Sequence, residues 1–364
     1  MKINLIIFIS EFNLGGAGNS IFKLCKNLPK NEFIITVICL KKCFYKAELI
    51  KLGIKVYEIP SSKTFFGMFK IKKIVKRIIK KNHKNIFLSN IHFSNVLSIL
   101  FLKSLNIKMI LVERTPFQEL LIYYNLKDFL KKTIIKLLIK FYFPKADACI
   151  ANSKYISNKY NKIFNLKFKT INPPSFKKLS FSLKKNKKDK KKICIGIVSR
   201  LSREKKIDKI IKIVPEFNNK IKLEIIGDGL EKQNLKQLVN DLKLNKNILF
   251  LGAQHPNKIK YYMKNFDYFI NTSDFEGFPN SVVEALSTGT PIIASQSFGG
   301  INDILSEKKF GYIYNNISDL KSILKKIINN KIFFKLNKKK LFNHLSNFSE
   351  ERNLKNYIKL FKNI

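Results

Sequence analysis

Short apolar runs alternate with helical segments along the first half of this chain. Six of these runs predict strands that are buried on both faces, and they lie at residues 5–10, 34–40, 55–59, 86–89, 109–112 and 148–151. Segments with helical periodicity separate most of them. The repeated order of strand and helix predicts a doubly wound parallel sheet.

The alternation stops at Asn172, which two prolines follow. Residues 177–192 then contain nine lysines and no apolar period, which is typical of a solvated linker. A second alternation predicts strands at 193–198, 222–226, 248–251, 268–271 and 291–294. We therefore expect an α/β protein with a first domain at 1–176, a linker at 177–192 and a second domain at 193–345. A final helical segment, 346–364, is expected to pack back toward the first domain.

Two such Rossmann-like domains, facing each other, leave a cleft between the carboxyl ends of their strands. Ligands bind at the carboxyl ends of the strands in open α/β sheets. One segment near this edge carries two glutamates eight positions apart, Glu276 and Glu284. Between them the chain turns and a helix begins near Asn280 and Ser281, whose free N–H groups form an anion site. Carboxylates beside such a site favour a nucleotide-sugar pocket, and the alternative is an ordinary helix start with acidic residues favoured by the dipole.

Three further loops after predicted strands are candidates for binding phosphate or sugar. Glycines at 15, 16 and 18 follow the first strand and permit close backbone approach, although a tight turn between strand and helix explains them equally well. Arg200 and Arg203 follow the first strand of the second half, where a planar guanidinium can donate hydrogen bonds to two phosphate oxygens at once. A solvated basic loop is the alternative there. Gly227 and Gly229, at the end of the next strand, indicate a turn with room for close backbone approach.

The charge and the cysteine content of the chain limit the kinds of partner and cellular compartment to be expected. The formal net charge is +45, from 70 Lys and Arg against 25 Asp and Glu, and only five residues are arginine. Abundant Lys, Asn, Ile and Phe indicate an AT-rich genome as the main source of this charge, yet such a surface still attracts anionic lipid. The five cysteines form no CxxC pair and no zinc-ligand spacing, which favours reduced thiols in the cytosol. No apolar run approaches the length of a membrane span.

Four sequence signatures follow one another in the second half. They are Gly196-Ile-Val-Ser-Arg200 with Lys205, Ile225-Ile-Gly227-Asp-Gly229, Phe250-Leu-Gly252, and Glu276-Gly-Phe-Pro with Glu284-Ala-Leu and Gly289-Thr-Pro. They cover about 193–312, and through them the second half resembles the retaining glycosyltransferases of family 4, which have the GT-B fold. The first half matches more weakly, at Gly15-Gly16, Ala151-Asn-Ser153 and Ile171-Asn-Pro173.

The resemblance implies roles for individual residues. Arg200 and Lys205 would bind the donor diphosphate and stabilise charge on the leaving nucleotide. Glu284 would bind the ribose hydroxyls, and Glu276 would lie beneath the donor sugar. The remaining donor-binding positions are main chain, and they are Gly16, Gly227, Gly252, Phe278, Pro279, Asn280 and Ser281.

The sequence departs from the family at one position. Many relatives carry a histidine after the strand that here leads into Glu113 and Arg114. His92, predicted to end the preceding strand, becomes a candidate acceptor-side residue together with those two. A purely structural histidine is the alternative. No Asp-x-Asp occurs in the sequence, which favours a reaction without a divalent metal or other cofactor.

Two first-domain helices carry lysines beside apolar faces. One face comprises Ile71, Ile74, Val75, Ile78 and Ile79, and the second helix spans 129–143. Both faces either contact an anionic membrane or pack on the first sheet.

The function expected is therefore transfer of a hexose or N-acetylhexosamine from a nucleotide diphosphate sugar, most simply a UDP-sugar, to a saccharide or lipid-linked acceptor in surface polysaccharide or glycan synthesis. The enzyme is expected in the cytoplasm, peripheral on the inner face of the membrane, with no specific nucleic-acid partner. A two-lobed UDP-sugar epimerase and a basic nucleic-acid-binding protein are the alternatives.

Overall fold

The computed structural model describes residues 2–13, 15–61, 63–180, 192–305, 310–329 and 337–364. The chain divides into two compact units. The first comprises Met1–Pro174 with Phe348–Ile364, and the second comprises Ser175–Asn347. Each unit is built on its own parallel sheet.

The first unit has a seven-stranded sheet in the order β3-β2-β1-β4-β5-β6-β7. Its strands are β1 (Ile3–Phe8), β2 (Phe33–Cys39), β3 (Lys55–Glu58), β4 (Lys84–Asn90), β5 (Lys108–Glu113), β6 (Ala148–Ala151) and β7 (Phe168–Thr170). The central strand β1 is buried along its whole length, as its apolar sequence requires. The six predicted strands are present. The pattern missed β7 because three residues with one buried side chain give no apolar run.

Helices cover both faces of this sheet. On one face lie α1 (Gly16–Asn27), α2 (Lys46–Lys51) and the C-terminal helix α14 (Glu350–Asn363), which share one apolar core. On the other face lie α3 (Thr64–Ile78), α4 (His92–Leu102), α5 (Leu126–Tyr142) and α6 (Lys154–Phe164). The helix α14 is tied to α1 by an ion pair between Lys23 and Glu350 at 3.2 Å.

The isoleucine face of α3 packs inward. Ile71 and Val75 are fully buried in the core, and Ile74, Ile78 and Ile79 pack against it. Of the two alternatives for this face, the structure therefore shows packing on the first sheet, because the apolar surface of the sheet covers it. Among the residues described, no helix combines the length and the apolar character needed to cross a bilayer.

The second unit has a six-stranded sheet in the order β10-β9-β8-β11-β13-β15. Its strands are β8 (Ile193–Val198), β9 (Ile221–Ile226), β10 (Ile248–Gly252), β11 (Tyr268–Asn271), β13 (Ile292–Ser295) and β15 (Gly311–Tyr314), and β12 (Phe275–Glu276) pairs separately with β14 (Phe298–Gly299). Its helices are α7 (Ile207–Ile213), α8 (Lys232–Asp241), α9 (Pro256–Asn265), α10 (Asn280–Ser287), α11 (Ile301–Ile304), α12 (Ile317–Ile328) and α13 (Lys338–Leu345). The strand order reverses between β8 and β11, and such a switch point is where α/β sheets bind ligands.

The first stretch of the first unit ends at Pro174, two residues before the predicted domain end at 176, and the second unit begins at Ser175 rather than at 193. Phe176 is buried against Phe342, with ring centroids 5.9 Å apart, because its apolar side chain finds a packing site there. The Ser180 N–H donates to the Ser287 carbonyl at 2.8 Å. Most of the predicted lysine-rich linker, 181–191, lies outside the described residues.

Candidate active site

The candidate donor residues of the second unit lie in loops at the carboxyl ends of four adjacent strands. Arg200 and Lys205 follow β8, Gly227 follows β9, Gly252 ends β10, and Glu276 follows β11. The Gly227 N–H donates to the Gly252 carbonyl at 2.9 Å, which joins two of these loops. Residues scattered over 77 positions of sequence, from 200 to 276, therefore share one edge of the sheet.

An ion pair between Lys205 and Glu276 lies at the switch point. Lys205 Nζ is 3.0 Å from Glu276 Oε1, and the two side chains are only 11 % and 21 % exposed. The other carboxylate oxygen, Oε2, accepts hydrogen bonds from Asn271 Nδ2 and Ser273 Oγ, each at 3.1 Å. Both oxygens of Glu276 are therefore held in a fixed orientation.

This environment sets the charge of Glu276. Burial acts to raise its pKa, but the charge of Lys205 and the hydrogen bonds from Lys205, Asn271 and Ser273 outweigh burial and lower it. The carboxylate is therefore ionised at neutral pH. An anion paired with a cation in a half-buried site can accept hydrogen bonds from hydroxyl groups or stabilise developing positive charge.

The two loops that carry the pair are joined through their backbones. Thr272 Oγ1 donates to the Lys205 carbonyl at 2.5 Å. The Asp274 N–H donates to the Glu204 carbonyl at 3.0 Å. These bonds fix the loop after β8 against the loop after β11, which keeps Lys205 beside Glu276.

Arg200 is much more exposed than Lys205. Its Nη2 lies 3.1 Å from Glu204 Oε1, and that oxygen also accepts from Ser202 Oγ at 2.6 Å. One edge of the guanidinium is thus held in place while the side chain extends into solvent. Five N–H donors in a planar group leave capacity for a phosphate.

Gly227 requires a glycine. Its φ is +143°, and a Cβ there would overlap the Ser199 carbonyl oxygen. The loop after β9 therefore runs directly against the backbone that leads into Arg200, which only a residue without a side chain permits.

The helix α10 begins at Asn280, one residue before the predicted start. Pro279 is its N-cap and no side chain caps the helix. Asn280 Oδ1 accepts a hydrogen bond from Ser175 Oγ at 2.6 Å, while Phe278 is buried. Ser281 lies in the first turn, and Glu284 follows one turn later, half-buried. The order of a helix N-terminus followed by a carboxylate one turn later is thus the one expected from sequence.

In the first unit, His92 and Glu113 form a buried pair. His92 Nδ1 lies 3.4 Å from Glu113 Oε2 and 3.1 Å from Thr115 Oγ1. Asn95 Nδ2 donates to Glu113 Oε1 at 2.7 Å. Burial acts to lower the pKa of His92, but Glu113 outweighs it and raises that pKa, whereas burial raises the pKa of Glu113 itself.

His92 does not end a strand, as the sequence suggested, but begins α4. Ile91, directly before it, has a φ of +75°, which is costly for a β-branched residue. This backbone conformation turns the chain sharply from β4 into α4. Strain of this kind clusters at functional sites.

Arg114 lies beside this pair. Its Nε donates to Asn90 Oδ1 at 2.9 Å, and burial lowers its pKa. Asn152 Nδ2 donates to the Arg114 carbonyl at 3.2 Å. Gly16 is the first residue of α1, the helix that follows the glycine-rich turn.

The sequence did not indicate Asn271, Ser273 or Asn95, which orient the two buried glutamates. Asn271 and Ser273 could have been found from the polar run that ends an otherwise apolar strand. Asn95 had no such signal, because it lies within an apolar helix. In the described part of the chain, no three His, Cys, Asp or Glu side chains are grouped as metal ligands.

Two sequence families match this chain. The family described as Glycosyl transferases group 1 matches residues 180–339, and the one described as Glycosyltransferase Family 4 matches residues 14–172. Together the two matches include every candidate site residue, from Gly16 to Glu284.

Individual relatives agree with these matches. The chain is 25% identical over 259 residues to the alpha-monoglucosyldiacylglycerol synthase of Streptococcus pneumoniae. The aligned residues cover 67% of this chain and 58% of that protein. It is 26% identical over 200 residues to the N-acetylgalactosamine-N,N'-diacetylbacillosaminyl-diphospho-undecaprenol 4-alpha-N-acetylgalactosaminyltransferase of Campylobacter jejuni, covering 52% of each chain. The chain thus spans between half and two thirds of the length of these two relatives.

Solved structures show the same fold. The chain superimposes on Anabaena HepE, solved with UDP and glucose, with a TM-score of 0.78 at 16% identity over the full length of both chains. For the sucrose-phosphate synthase of Thermosynechococcus elongatus the TM-score is 0.80 at 14% identity, covering 99% of this chain and 98% of that one. The predicted GT-B class of fold, with two α/β units, is confirmed.

Proposed function

Since this chain belongs to glycosyltransferase family 4, we propose that it transfers a hexose or N-acetylhexosamine from a UDP-sugar, with retention of configuration, to a saccharide or lipid-linked acceptor. The observation that carries this proposal is the Lys205–Glu276 ion pair, held at the switch point of the second sheet. It sets a cation and an oriented carboxylate side by side where α/β sheets bind ligands.

Lys205 and Arg200 bind the donor diphosphate in this proposal. Negative charge on the diphosphate grows as its bond to the sugar breaks, and fixed cations stabilise the transition state more than the ground state. The Lys205 ammonium has three N–H donors, and one contact, to Glu276, already fixes its position. Arg200 adds a planar guanidinium that Glu204 positions.

Glu276 lies beneath the sugar in this proposal. Its lowered pKa keeps it ionised, which suits hydrogen bonds from sugar hydroxyls and stabilisation of an oxocarbenium-like transition state. Retention then follows from attack on the face that the diphosphate leaves. The bond from the anomeric carbon to the phosphate oxygen breaks, a bond to the acceptor oxygen forms, and the acceptor proton passes to the leaving phosphate.

The nucleotide is held by main chain and by Glu284. We assign the phosphates and sugar to the backbone from Phe278 to Ser281, because helix N-termini attract anions. Glu284 accepts hydrogen bonds from the ribose hydroxyls. Gly227 and Gly252 let the backbone approach the donor closely, and we also assign Gly16 to donor binding on the resemblance to the family.

His92, Glu113 and Arg114 are proposed to act on the acceptor side. Their support is a buried, charged cluster with a strained backbone at Ile91, since perturbed ionisable groups concentrate at functional sites. The cations of the second unit replace a divalent metal in this proposal, and a reaction without a metal is accordingly expected.

The names of the two relatives support a lipid-linked acceptor, because one refers to a diacylglycerol product and the other to a diphospho-undecaprenol. We accordingly propose that the enzyme works in the cytoplasm, at the inner face of the membrane, in the synthesis of a surface polysaccharide or glycolipid. The net charge of +45 favours an anionic surface.

A transfer assay tests the proposal. The purified protein is incubated with labelled UDP-glucose, UDP-galactose or UDP-N-acetylglucosamine and a diacylglycerol or polyprenyl-diphosphate glycan acceptor, and the anomer of the product is read by NMR. We expect an α-linked product from at least one donor, and loss of transfer in Glu276→Gln, which keeps the shape and removes the charge. A β-linked product would exclude retention. Conversion or release of the sugar without any acceptor would show an epimerase instead.

A further inference from the structure

The helix α5 carries an apolar stripe on its exposed side. Leu126, Leu130, Ile134, Leu137 and Phe141 are each between 53 % and 74 % exposed. Their spacing of four, four, three and four residues places them in one line along the helix. We call these five residues the α5 stripe. An exposed apolar line of this length is unusual on a soluble protein surface.

The stripe is separate from the core-facing side of the same helix. Ile135 and Ile139 are buried in the first unit and anchor α5 to the sheet layer. The helix is therefore apolar on two opposite sides, of which packing within the first unit uses one. Core formation does not explain the other.

Lysines border the stripe on both sides. On a helical projection, Lys127 and Lys131 lie along one border, and Lys136 and Lys140 lie along the other. Acidic residues are scarce, because Asp128 is the only one in α5 and it pairs with Lys132 at 2.9 Å. Long lysine side chains at such borders can bury their stems while their ammonium groups reach lipid headgroups.

A second exposed apolar group lies in the same helical layer. Phe65, Phe66 and Phe69, at the N-terminal end of α3, are exposed, and two of them pack edge-on against Phe101 of α4. The exposed side chain of Leu100 lies on α4 as well. Helix α4 packs between α3 and α5 on this face of the sheet.

We propose that the α5 stripe and its bordering lysines dock the enzyme on an anionic membrane, with Phe65, Phe66 and Phe69 as a second contact. An apolar line between two rows of lysines is the pattern of a helix that lies in a bilayer interface. Charge complementarity favours anionic lipid over a second copy of the chain, because two surfaces that each carry this lysine excess repel one another. This docking proposal rests on the proposed function in one respect only, which is that docking would give the enzyme access to a lipid-linked acceptor.

Vesicle sedimentation with the full chain tests this surface. The stripe variant Leu130→Ser/Ile134→Ser is compared with Phe44→Ser/Ile50→Ser, whose side chains are equally exposed, at 56 % and 55 %, but lie outside the three helices. We expect wild type to bind vesicles that contain phosphatidylglycerol and to bind neutral phosphatidylcholine vesicles far less. The stripe variant should lose about tenfold or more in partition coefficient, as the removal of two inserted apolar side chains requires. The control variant should bind like wild type.

A charge variant gives a second test that does not alter the stripe. Lys127→Glu/Lys131→Glu/Lys140→Glu should weaken binding to anionic vesicles by tenfold or more and flatten its dependence on salt between about 0.1 M and 1 M. Circular dichroism melts on each variant confirm that it is folded.

Two results would overturn the proposal. Equal vesicle binding by wild type, stripe variant and charge variant would show that the stripe does not contact lipid. The other result is light scattering in which wild type dimerises and the stripe variant does not. If wild type then also fails to bind vesicles, the partner of the α5 stripe is a second copy of the chain. Because vesicle binding is measured without sugar transfer, loss of either property leaves the other proposal standing.

Discussion

Replacing Lys205 by methionine tests the centre of the proposed donor site. Methionine keeps most of the length and apolar volume of the lysine stem and removes the charge that lies 3.0 Å from Glu276 Oε1. Two effects follow, one on the folded state and one on the reaction, and they differ in size.

The effect on stability is set by the partly buried ion pair. The Coulomb attraction at this distance is about 5 kcal/mol for an effective dielectric constant of about 20. Desolvation of the two groups offsets much of that attraction, and Asn271 and Ser273 still bind the carboxylate. We therefore expect a loss of about 1.5–3 kcal/mol of unfolding free energy, the range for a hydrogen bond to a charged group.

The effect on catalysis should be larger. Removing one fixed donor to a developing negative charge lowers turnover by about 10²–10³ in comparable sites. The assay measures kcat/KM with the active UDP-sugar and a thermal melt on the same preparation. The matched control is Lys209→Met, which removes an ion pair to Asp274 of 2.9 Å at a more exposed position and should change stability by about 1 kcal/mol or less.

The outcome separates a catalytic role from a structural one. We expect Lys205→Met to remain folded at the assay temperature with strongly reduced kcat/KM, and Lys209→Met to keep wild-type activity. Full activity in Lys205→Met would refute the assignment of Lys205 to the leaving diphosphate. A loss that merely follows the unfolded fraction would assign the residue to the fold alone.

Four further outcomes are expected. Glu284→Ala should weaken UDP binding by about tenfold to a hundredfold in calorimetry, because it removes a charge-assisted hydrogen bond, and unchanged affinity would exclude the ribose role. Because the pKa of Glu276 is lowered, this carboxylate stays ionised until the pH falls through that lowered value. Lys205→Met should raise this pKa, so the acidic limb of the pH profile of kcat/KM should move to higher pH. An unmoved limb would contradict this reasoning. Transfer should survive EDTA, and rescue by Mg²⁺ or Mn²⁺ after its loss would contradict a reaction without metal. Asn95→Leu removes a hydrogen-bond donor to Glu113, whose pKa burial already raises. Urea unfolding should show a loss of about 1–3 kcal/mol of unfolding free energy, larger at neutral than at acidic pH. An equal loss at both pH values would argue against an ionised Glu113.

Much of the candidate donor site was predictable because its signals are local. Glycines with a sharp turn, a helix start and a glutamate one turn later occur within a few residues of one another, and each has a distinct sequence pattern. The same holds for the strands, since short apolar runs between helical segments indicate buried parallel strands. Where an element is as short as β7, the pattern is too weak to detect.

The contacts that orient the charged groups were not predictable. Lys205 and Glu276 are 71 residues apart, and His92 and Glu113 are 21 apart. Each pair meets because parallel strands bring their carboxyl ends to one edge of a sheet, and the sequence does not state which strands are neighbours. Asn95 is a further example, because its partner is fixed only when α4 packs beside β5.

The sequence by itself determined that this chain forms two α/β units and where the candidate donor residues lie in the second, because periodicity and turn residues act over short distances. Only the tertiary structure decided which apolar faces are buried. The isoleucine face of α3 and the α5 stripe are both apolar with lysines beside them, yet the first covers the sheet and the second faces outward. Periodicity reveals that a helix face is apolar, but the surface that covers it depends on how the helix packs in three dimensions.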